Sequence, residues 1–204
     1  YHILNTGGKI LRCCDREVLY NKLIPPAVCR RLLAYCFEKN LQLQICDGMI
    51  WKVTKMTEQT MEYAREVGVI SSMEEAGWEN GIEGFMATSD LQRVAEYIDQ
   101  YLPEIYYVNS EPGCVDIMAS GVSKWRGIKI LAESLNIAHE DILTVGNYYN
   151  DIDMLQHAGV GIAVANSLPE VKDVADFVTE YDNNHDAVAE IISKMLHHEY
   201  DMTK

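Results

Sequence analysis

The pattern that most constrains this chain is a strict alternation of short apolar segments with amphipathic ones, which runs from residue 115 to residue 196. The apolar segments predict strands, and the amphipathic segments predict helices. The predicted strands are 115–118, 142–145, 161–164 and 177–179, and the predicted helices are 125–136, 151–157, 170–175 and 186–196. Because the connections are short, the pattern is typical of βα units and predicts a parallel sheet.

The first half of the chain has a different pattern. Residues 1–4 predict a strand, and residues 9–11 and 18–20 predict a hairpin. A second hairpin is predicted around Asp47-Gly48. Helices are predicted from Pro25-Pro26 to Asn40, over 57–67, and from an N-cap at Ser89 to Tyr101, with a strand over 105–109. Their apolar faces are Val28, Leu32, Leu33, Cys36 and Phe37 in the first helix and Leu91, Val94, Ile98 and Leu102 in the third. The mixture predicts an α+β unit with an antiparallel sheet over residues 11–110.

Composition excludes several classes of function. The chain has 17 Lys and Arg against 31 Asp and Glu, a net charge of −14 that argues against nucleic-acid partners. No run of roughly 18 apolar residues predicts a membrane span. The six cysteines show no C-x-x-C spacing, which favours reduced thiols and a cytoplasmic location. A local cationic site for a small phosphorylated molecule remains compatible with this charge.

Two loops follow predicted strands, where ligands bind in parallel sheets. In the first, Lys124 stands at a helix start, where its charge opposes the helix dipole unless an anion is bound there. A solvated surface lysine is the alternative. In the second, Asn147, Asn150 and Asp151 offer oxygen ligands of the kind Mg²⁺ prefers. An Asp N-cap with asparagines in a turn is the alternative, which the residues alone favour, whereas for Lys124 they leave the question open.

These loops also carry a family resemblance. GVSKW at 121–125, DILTVGNYYNDIDML at 141–155 and AGVGIAVANS at 158–167 resemble the third and fourth motifs of Cof-type phosphatases of the haloacid dehalogenase (HAD) superfamily. Those motifs read G-V-x-K-G, V-G-D-x-x-N-D-x-x-M-L and A-G-x-G-V-A-M-x-N-A. The match runs without a gap over roughly residues 115–196. ILNTGGKI at 3–10 resembles the N-N-G-A-x-I stretch that leads into the family's cap domain.

The resemblance implies an α/β fold with an incomplete Rossmannoid core and an α+β cap domain. The core would comprise residues 1–10 and 111–204, and the cap residues 11–110. The family's reaction is the Mg²⁺-dependent hydrolysis of small phosphorylated metabolites such as sugar phosphates. Cap residues would select the leaving group; Asp47 and Trp51 are candidates, although a turn residue and a packed aromatic explain them as well.

The resemblance also implies roles for single residues. Lys124 would hold the transferring phosphoryl group and the nucleophile's carboxylate. Asn150 would contact phosphate, and Asn166 would lie near the active-site face as a substrate-binding residue. Asn147 and Asp151 would form the metal site.

The departures from the family pattern decide what we expect of this chain. No D-x-D-x-T/V occurs in it, so the nucleophilic aspartate is missing; the only D-x-D is Asp151-Ile152-Asp153, on a predicted helix. The second-motif Ser or Thr is expected upstream of Tyr1 as well. Asn147 stands where the family has Asp, which should weaken Mg²⁺ binding. We therefore expect no catalysis by this chain alone, with a non-catalytic phosphate-binding or interaction protein as the alternative function.

The missing segment has a consequence for assembly. If this chain has the family's core, its strands 142–145 and 1–4 lack the neighbouring strands that the missing segment would supply. Open strand edges recruit other strands. We expect these edges to close against each other, or to be covered by an upstream segment or by a second copy in a homodimer.

Overall fold

The structure is a computed structural model that describes residues 1–47, 50–67, 71–72 and 80–200. Its contacts divide the chain into two compact units, Tyr1–Val122 and Ser123–Lys204. Residues 1–10 and 111–122 therefore belong, by their contacts, to the first unit. Their assignment to a common core with residues 123–204 stays a prediction.

The first unit begins with a three-stranded antiparallel sheet. Its strands are β1 (His2–Leu4), β2 (Lys9–Arg12) and β3 (Glu17–Asn21), in that order. A short 3₁₀ helix, Asn5–Gly7, joins β1 to β2, and its Thr6 has a positive φ of 51°. The predicted first strand and first hairpin are confirmed.

A six-stranded sheet forms the rest of the first unit's β structure. Its strands are β4 (Gln44–Asp47), β5 (Ile50–Val53), β6 (Ser71–Ser72), β7 (Gly84–Ala87), β8 (Ile105–Glu111) and β9 (Cys114–Ala119). The spatial order is β6-β5-β4-β7-β9-β8, and only the β5–β6 pair is parallel. The turn predicted at Asp47-Gly48 falls partly on residues outside the described part of the chain.

Strand β9 corrects the prediction that residues 115–118 open the parallel series. It pairs antiparallel with both β7 and β8. The reason is a tight hairpin: Glu111 pairs with Cys114 across Pro112-Gly113, and Gly113 has a φ of +74°. Strands joined by a two-residue turn run antiparallel, so this Pro-Gly pair fixes the direction of β9.

The described residues of the first unit form three α-helices: α1 (Pro26–Glu38), α2 (Glu58–Val67) and α3 (Leu91–Tyr101). Helices α1 and α3 pack on one face of the six-stranded sheet and form a single apolar core with it. Phe37 is 53% exposed, so its assignment to the buried face of α1 was wrong. Helix α3 begins after Asp90, whose φ is +52°, rather than after Ser89.

The cysteines whose side chains are described differ in burial. Cys29, Cys36 and Cys114 are buried, while Cys13 and Cys14 are exposed. Burial raises the pKa of Cys36 to about 12, which keeps that thiol protonated and unreactive at neutral pH.

The second unit is built of βα units, as predicted. Strands β10 (Leu143–Gly146), β11 (Val160–Ala163) and β12 (Phe177–Val178) form a parallel sheet in that order. The helices are α4 (Lys124–Leu135), α5 (Ile152–His157), α6 (Pro169–Lys172) and α7 (Ala187–Leu196). Strand β10 is the end strand of this sheet.

Side chains of β11 alternate between two small apolar clusters. Ala163 contacts Leu155 and Val171, from α5 and α6, in one cluster. Val160 and Ile162 contact Ile191 of α7 in the other. The sheet therefore has apolar packing on both faces, as parallel sheets require. Within the described residues, no helix is long and apolar enough to cross a membrane.

Candidate functional site

The centre of the candidate site is the carboxylate of Asp151. It follows β10 on a short 3₁₀ helix, Tyr149–Asp151, and the residue is only 3% exposed. Its Oδ2 accepts hydrogen bonds from the backbone N–H groups of Asn147, at 2.8 Å, and Tyr148, at 3.1 Å. Backbone donors of this kind fix the direction of a carboxylate.

Lys124 completes the arrangement. It is the first residue of α4, after the N-cap Ser123, whose hydroxyl accepts from the backbone N–H of Arg126 at 3.1 Å. Its Nζ donates to Asp151 Oδ1, and 32% of the lysine side chain is exposed. The charge that opposes the helix dipole is thus balanced by Asp151, and the ammonium still reaches solvent. Of the predicted site residues, these two are brought into contact.

Gly146 makes this geometry possible, and the sequence reasoning missed it. A Cβ added at residue 146 would lie 2.4 Å from Asp151 Cβ, 2.7 Å from its Cγ and 2.9 Å from its Oδ2. Only glycine lets the carboxylate fold back over the end of β10. A glycine directly after the apolar run ILTV is the signal that could have identified it.

Buried hydroxyls hold the surrounding loops. Thr144 Oγ1 donates to the carbonyl of Met154 at 3.1 Å, and Ser167 Oγ donates to the carbonyl of Gly146 at 3.2 Å. The N–H of Leu168 donates to the carbonyl of Asn147 at 3.3 Å. These contacts fix the 146–151 loop from both sides. No local sequence pattern marks Thr144 or Ser167, because their partners are distant in the chain.

The predicted asparagines do not all converge on Asp151. Asn147 is exposed and lines a cleft of about 400 Å³ together with Val145, Val164 and Val188. Asn150 lies half-buried on the 3₁₀ helix. Asn166 lines a separate cleft of about 260 Å³.

The side-chain amide of Asn166 forms hydrogen bonds with Asn183. Its Nδ2 donates to Asn183 Oδ1 at 2.6 Å, and its Oδ1 accepts from the backbone N–H of Asn183 at 3.2 Å. These bonds tie the loop after β11 to the turn before α7. The cap candidates Asp47 and Trp51 lie on β4 and β5, and their side chains fall outside the described part of the structure.

Comparison with known proteins gives the family of this chain. A family model described as haloacid dehalogenase-like hydrolase matches residues 1–192. The chain belongs to this family. The resemblance inferred from the motifs is therefore confirmed.

Individual relatives cover the chain less completely. The Bacillus subtilis protein YxeH is 35% identical over 108 residues, which are 52% of this chain and 40% of YxeH. The Bacillus subtilis 5-amino-6-(5-phospho-D-ribitylamino)uracil phosphatase YcsE is 34% identical over 89 residues, 44% of this chain and 35% of YcsE. The matches thus span less than half the length of either relative.

The fold is also found in solved structures. A haloacid dehalogenase-like hydrolase from Bacteroides thetaiotaomicron superposes with a TM-score of 0.80 at 24% identity, covering 93% of this chain and 74% of that one. This similarity shows the HAD fold, an α/β Rossmannoid core with a cap. About a quarter of that protein has no counterpart here.

HAD phosphoryl-transfer enzymes generally depend on Mg²⁺. Here both oxygens of Asp151 are bonded to Lys124 and to backbone N–H groups, and Asn147 is neutral. Among the described residues no group of three or more His, Cys, Asp or Glu side chains could hold a metal ion. These residues therefore do not form a magnesium site by themselves.

Proposed function

We propose that this chain supplies the phosphate-holding part of a HAD phosphatase for small phosphorylated metabolites such as sugar phosphates, and that it does not hydrolyse them alone. The observation that carries the proposal is the Lys124–Asp151 pair at the end of β10. A lysine held by a buried carboxylate keeps its position while it contacts an anion.

The roles of the two residues follow from their bonds. An ammonium has three N–H donors, and the bond to Asp151 uses one of them. We assign the remaining donors to oxygens of the transferring phosphoryl group, whose negative charge they stabilise. Asp151 acts as a positioning residue, since its own oxygens are engaged by protein donors.

The other asparagines take secondary roles in this proposal. Asn150 contacts phosphate from the 3₁₀ helix. For Asn166, the hydrogen bonds to Asn183 favour fixing the turn before α7 over direct contact with substrate. Asn147 faces the cleft beside β10, and in a complete enzyme it would offer a metal only a neutral amide oxygen.

The absence of turnover follows from the residues present. The sequence contains no D-x-D-x-T/V, and its only D-x-D, Asp151-Ile152-Asp153, leads into α5. Asp151 cannot serve as the nucleophile while Lys124 and two backbone N–H groups hold its carboxylate. Without a nucleophile no aspartyl-phosphate forms, and bound phosphate stays uncleaved.

Two measurements test this proposal. With p-nitrophenyl phosphate and Mg²⁺ we expect no turnover by residues 1–204. In NMR titrations, inorganic phosphate should shift signals of the 124–126 and 146–151 segments, and Lys124→Ala should abolish the shifts. Lys129→Ala is the matched control, because Lys129 lies on the same helix with a 55% exposed side chain and only a 3.9 Å ion pair.

Each contrary outcome has a definite meaning. Turnover that survives Lys124→Ala would contradict the assignment of this site. Turnover that Lys124→Ala abolishes would show that these residues suffice without the first motif. Equal phosphate shifts in the Lys124 and Lys129 variants would exclude Lys124 as the anion ligand.

A second candidate function is supported by Asn147. A relative that binds a phosphorylated ligand without turnover has no need of an anionic metal ligand at this position. The coding sequence upstream of Tyr1 separates the two functions, because a D-x-D-x-T/V there restores the phosphatase. A cytoplasmic location stays a prediction from cysteine usage.

A further inference from the structure

The turn that joins β2 to β3 carries two adjacent cysteines, Cys13 and Cys14, and both are exposed. Cysteine is among the residues most often buried in folded proteins. Cys29, Cys36 and Cys114 of the same unit follow this rule. Packing in a core therefore accounts for those buried cysteines but not for the exposed pair.

Other side chains hold this turn. Arg12 Nη2 donates to Asp15 Oδ2 at 2.6 Å, and Asp15 Oδ1 accepts from the backbone N–H of Glu17 at 3.2 Å. Arg12 Nη2 also donates to Glu17 Oε2, and the two residues are paired across the hairpin. None of these bonds uses a thiol, so Cys13 or Cys14 can be replaced without removing a bond that holds the turn.

The covalent structure keeps the two sulfur atoms close enough to bind one common atom. The Cα atoms of consecutive residues lie about 3.8 Å apart, whereas most disulfides join Cα atoms about 4.4–6.8 Å apart. A disulfide between Cys13 and Cys14 would therefore be strained. An atom inserted between the two sulfurs lengthens the bridge by one bond and relieves that strain. The pair thus favours an inserted ligand atom over a direct disulfide.

The surroundings of the thiols decide which atom this can be. Structural zinc in proteins takes four ligands, so two thiolates alone do not make such a site. The nearby carboxylates of Asp15 and Glu17 are engaged by Arg12. In the part of the chain that the structure describes, no group of three or more His, Cys, Asp or Glu side chains could hold a metal ion. A trivalent arsenic atom that already carries one carbon group needs only two further bonds, and as a soft atom it favours the soft thiolate ligand.

We propose that Cys13 and Cys14 form a dithiol site for an organic arsenical of the type R–As(OH)₂. Each of the two As–O bonds is replaced by an As–S bond, and each displaced hydroxide leaves with a thiol proton as water. One arsenical and two thiols thus give one cyclic dithioarsenite and two waters. Arsenic stays trivalent, so the step needs no oxidant or reductant. The site lies within the first unit, and its test does not depend on the proposed phosphate chemistry.

The test measures arsenical binding by the full chain, residues 1–204, after its thiols have been reduced. Phenylarsine oxide, which water hydrates to the required form, is added, and the intact mass is followed while glutathione is titrated in. We expect a single bound arsenical per chain. Because a chelate holds its ligand more tightly than either thiol alone, Cys13→Ser and Cys14→Ser should each lower the glutathione concentration that removes half of the arsenical by about 100-fold.

Arg16→Asn is the matched control. Arg16 is an exposed residue of the same turn with a φ of +59°, which asparagine tolerates, and the change leaves both thiols in place. This variant should hold the arsenical as tightly as the native chain. An absent adduct, or one that glutathione removes equally easily from the native chain and from the cysteine variants, would overturn the proposal. An equal loss in Arg16→Asn would also overturn it, because the two thiols would then not be what holds the arsenical.

Discussion

The two units of the chain differ in how completely they bury their apolar surface. In the first unit, α1 and α3 cover one face of the six-stranded sheet with a single continuous core. In the second unit, the three parallel strands pack in two small, separate apolar clusters, and β10 is an edge strand of the sheet. Central strands of parallel α/β sheets normally have a neighbour on both sides. Strand β10 therefore has an edge with which another strand can pair.

Helix α7 of the same unit also leaves apolar side chains exposed. Its Ala187 and Ile191 are buried, while Val188, Ile192 and Leu196 are 61%, 52% and 74% exposed. Val188 lines the same cleft as Val145 and Asn147, so this apolar stripe begins beside the open edge of β10. An added strand would cover both the edge and the stripe.

The largest expected effect therefore concerns assembly. We predict that the β10 edge is covered by a second copy of the chain, and that light scattering detects a dimer. Amide exchange at residues 143–146 should then be slowed by orders of magnitude, as in the central strand β9. Ile192→Glu should dissociate the dimer, while Ser193→Glu, on the same helix, should not. A monomer with rapid exchange at 143–146 would show that the edge is simply left open.

The second effect tests the packing of the candidate site. Gly146→Ala forces Asp151 away from the end of β10, which should cost about 1–3 kcal/mol and weaken phosphate binding through Lys124. Gly113→Ala is the control. Gly113 has a positive φ but no atom within 4 Å of an added Cβ, so that variant should lose about 1 kcal/mol and keep its phosphate response. Equal phosphate responses in both variants would contradict the proposed role of Gly146.

Sequence patterns predicted those elements whose signals are local. Apolar spacing located α1, α4 and α7, and the alternation of strands and helices predicted the parallel sheet of the second unit. The predicted direction of β9 was wrong because the prediction did not take the Pro112-Gly113 turn into account. Phe37 was assigned to the core because helical spacing alone does not say how wide the buried face is.

The candidate site was predictable only in part, for a similar reason. Lys124 and Asp151 stand in recognisable motifs, and the structure joins them. The requirement for glycine at 146 comes from the close approach of Asp151 in the same loop, and the glycine directly after the run ILTV is a local signal of it. The hydrogen bonds of Thr144 and Ser167 join separate segments, and no periodicity or motif encodes them.

The third effect tests how α7 is anchored in the second unit. Glu190 accepts hydrogen bonds from Lys194 Nζ at 2.7 Å and from the backbone N–H groups of Glu180 and Tyr181, both at 3.0 Å or less. Burial by itself would raise the pKa of Glu190, but these hydrogen bonds together lower it below the usual 4.5. The stabilisation is therefore complete above pH 4.5 and is lost as the pH falls through the folded-state value.

Glu190→Gln should accordingly lower the free energy of unfolding by about 1–2 kcal/mol at pH 7. The difference from the native chain should shrink below pH 4.5, as measured by urea unfolding across the pH range. Glu133→Gln is the control, since Glu133 has a 66% exposed side chain and a single weak ion pair. A difference that is constant with pH would show that Glu190 acts through packing and not through its charge.

The smallest expected effect concerns the one position where the site departs from its family. In a longer form that carries D-x-D-x-T/V, Asn147→Asp should tighten Mg²⁺ binding about three- to tenfold, because a carboxylate supplies the charge that the amide lacks. Titration calorimetry with MgCl₂ measures this. Asn184→Asp is the matched control, since Asn184 lines the same cleft and adds the same charge. If both variants tighten binding equally, the gain comes from general electrostatics. An unchanged or weaker affinity in Asn147→Asp would show that residue 147 does not face the metal.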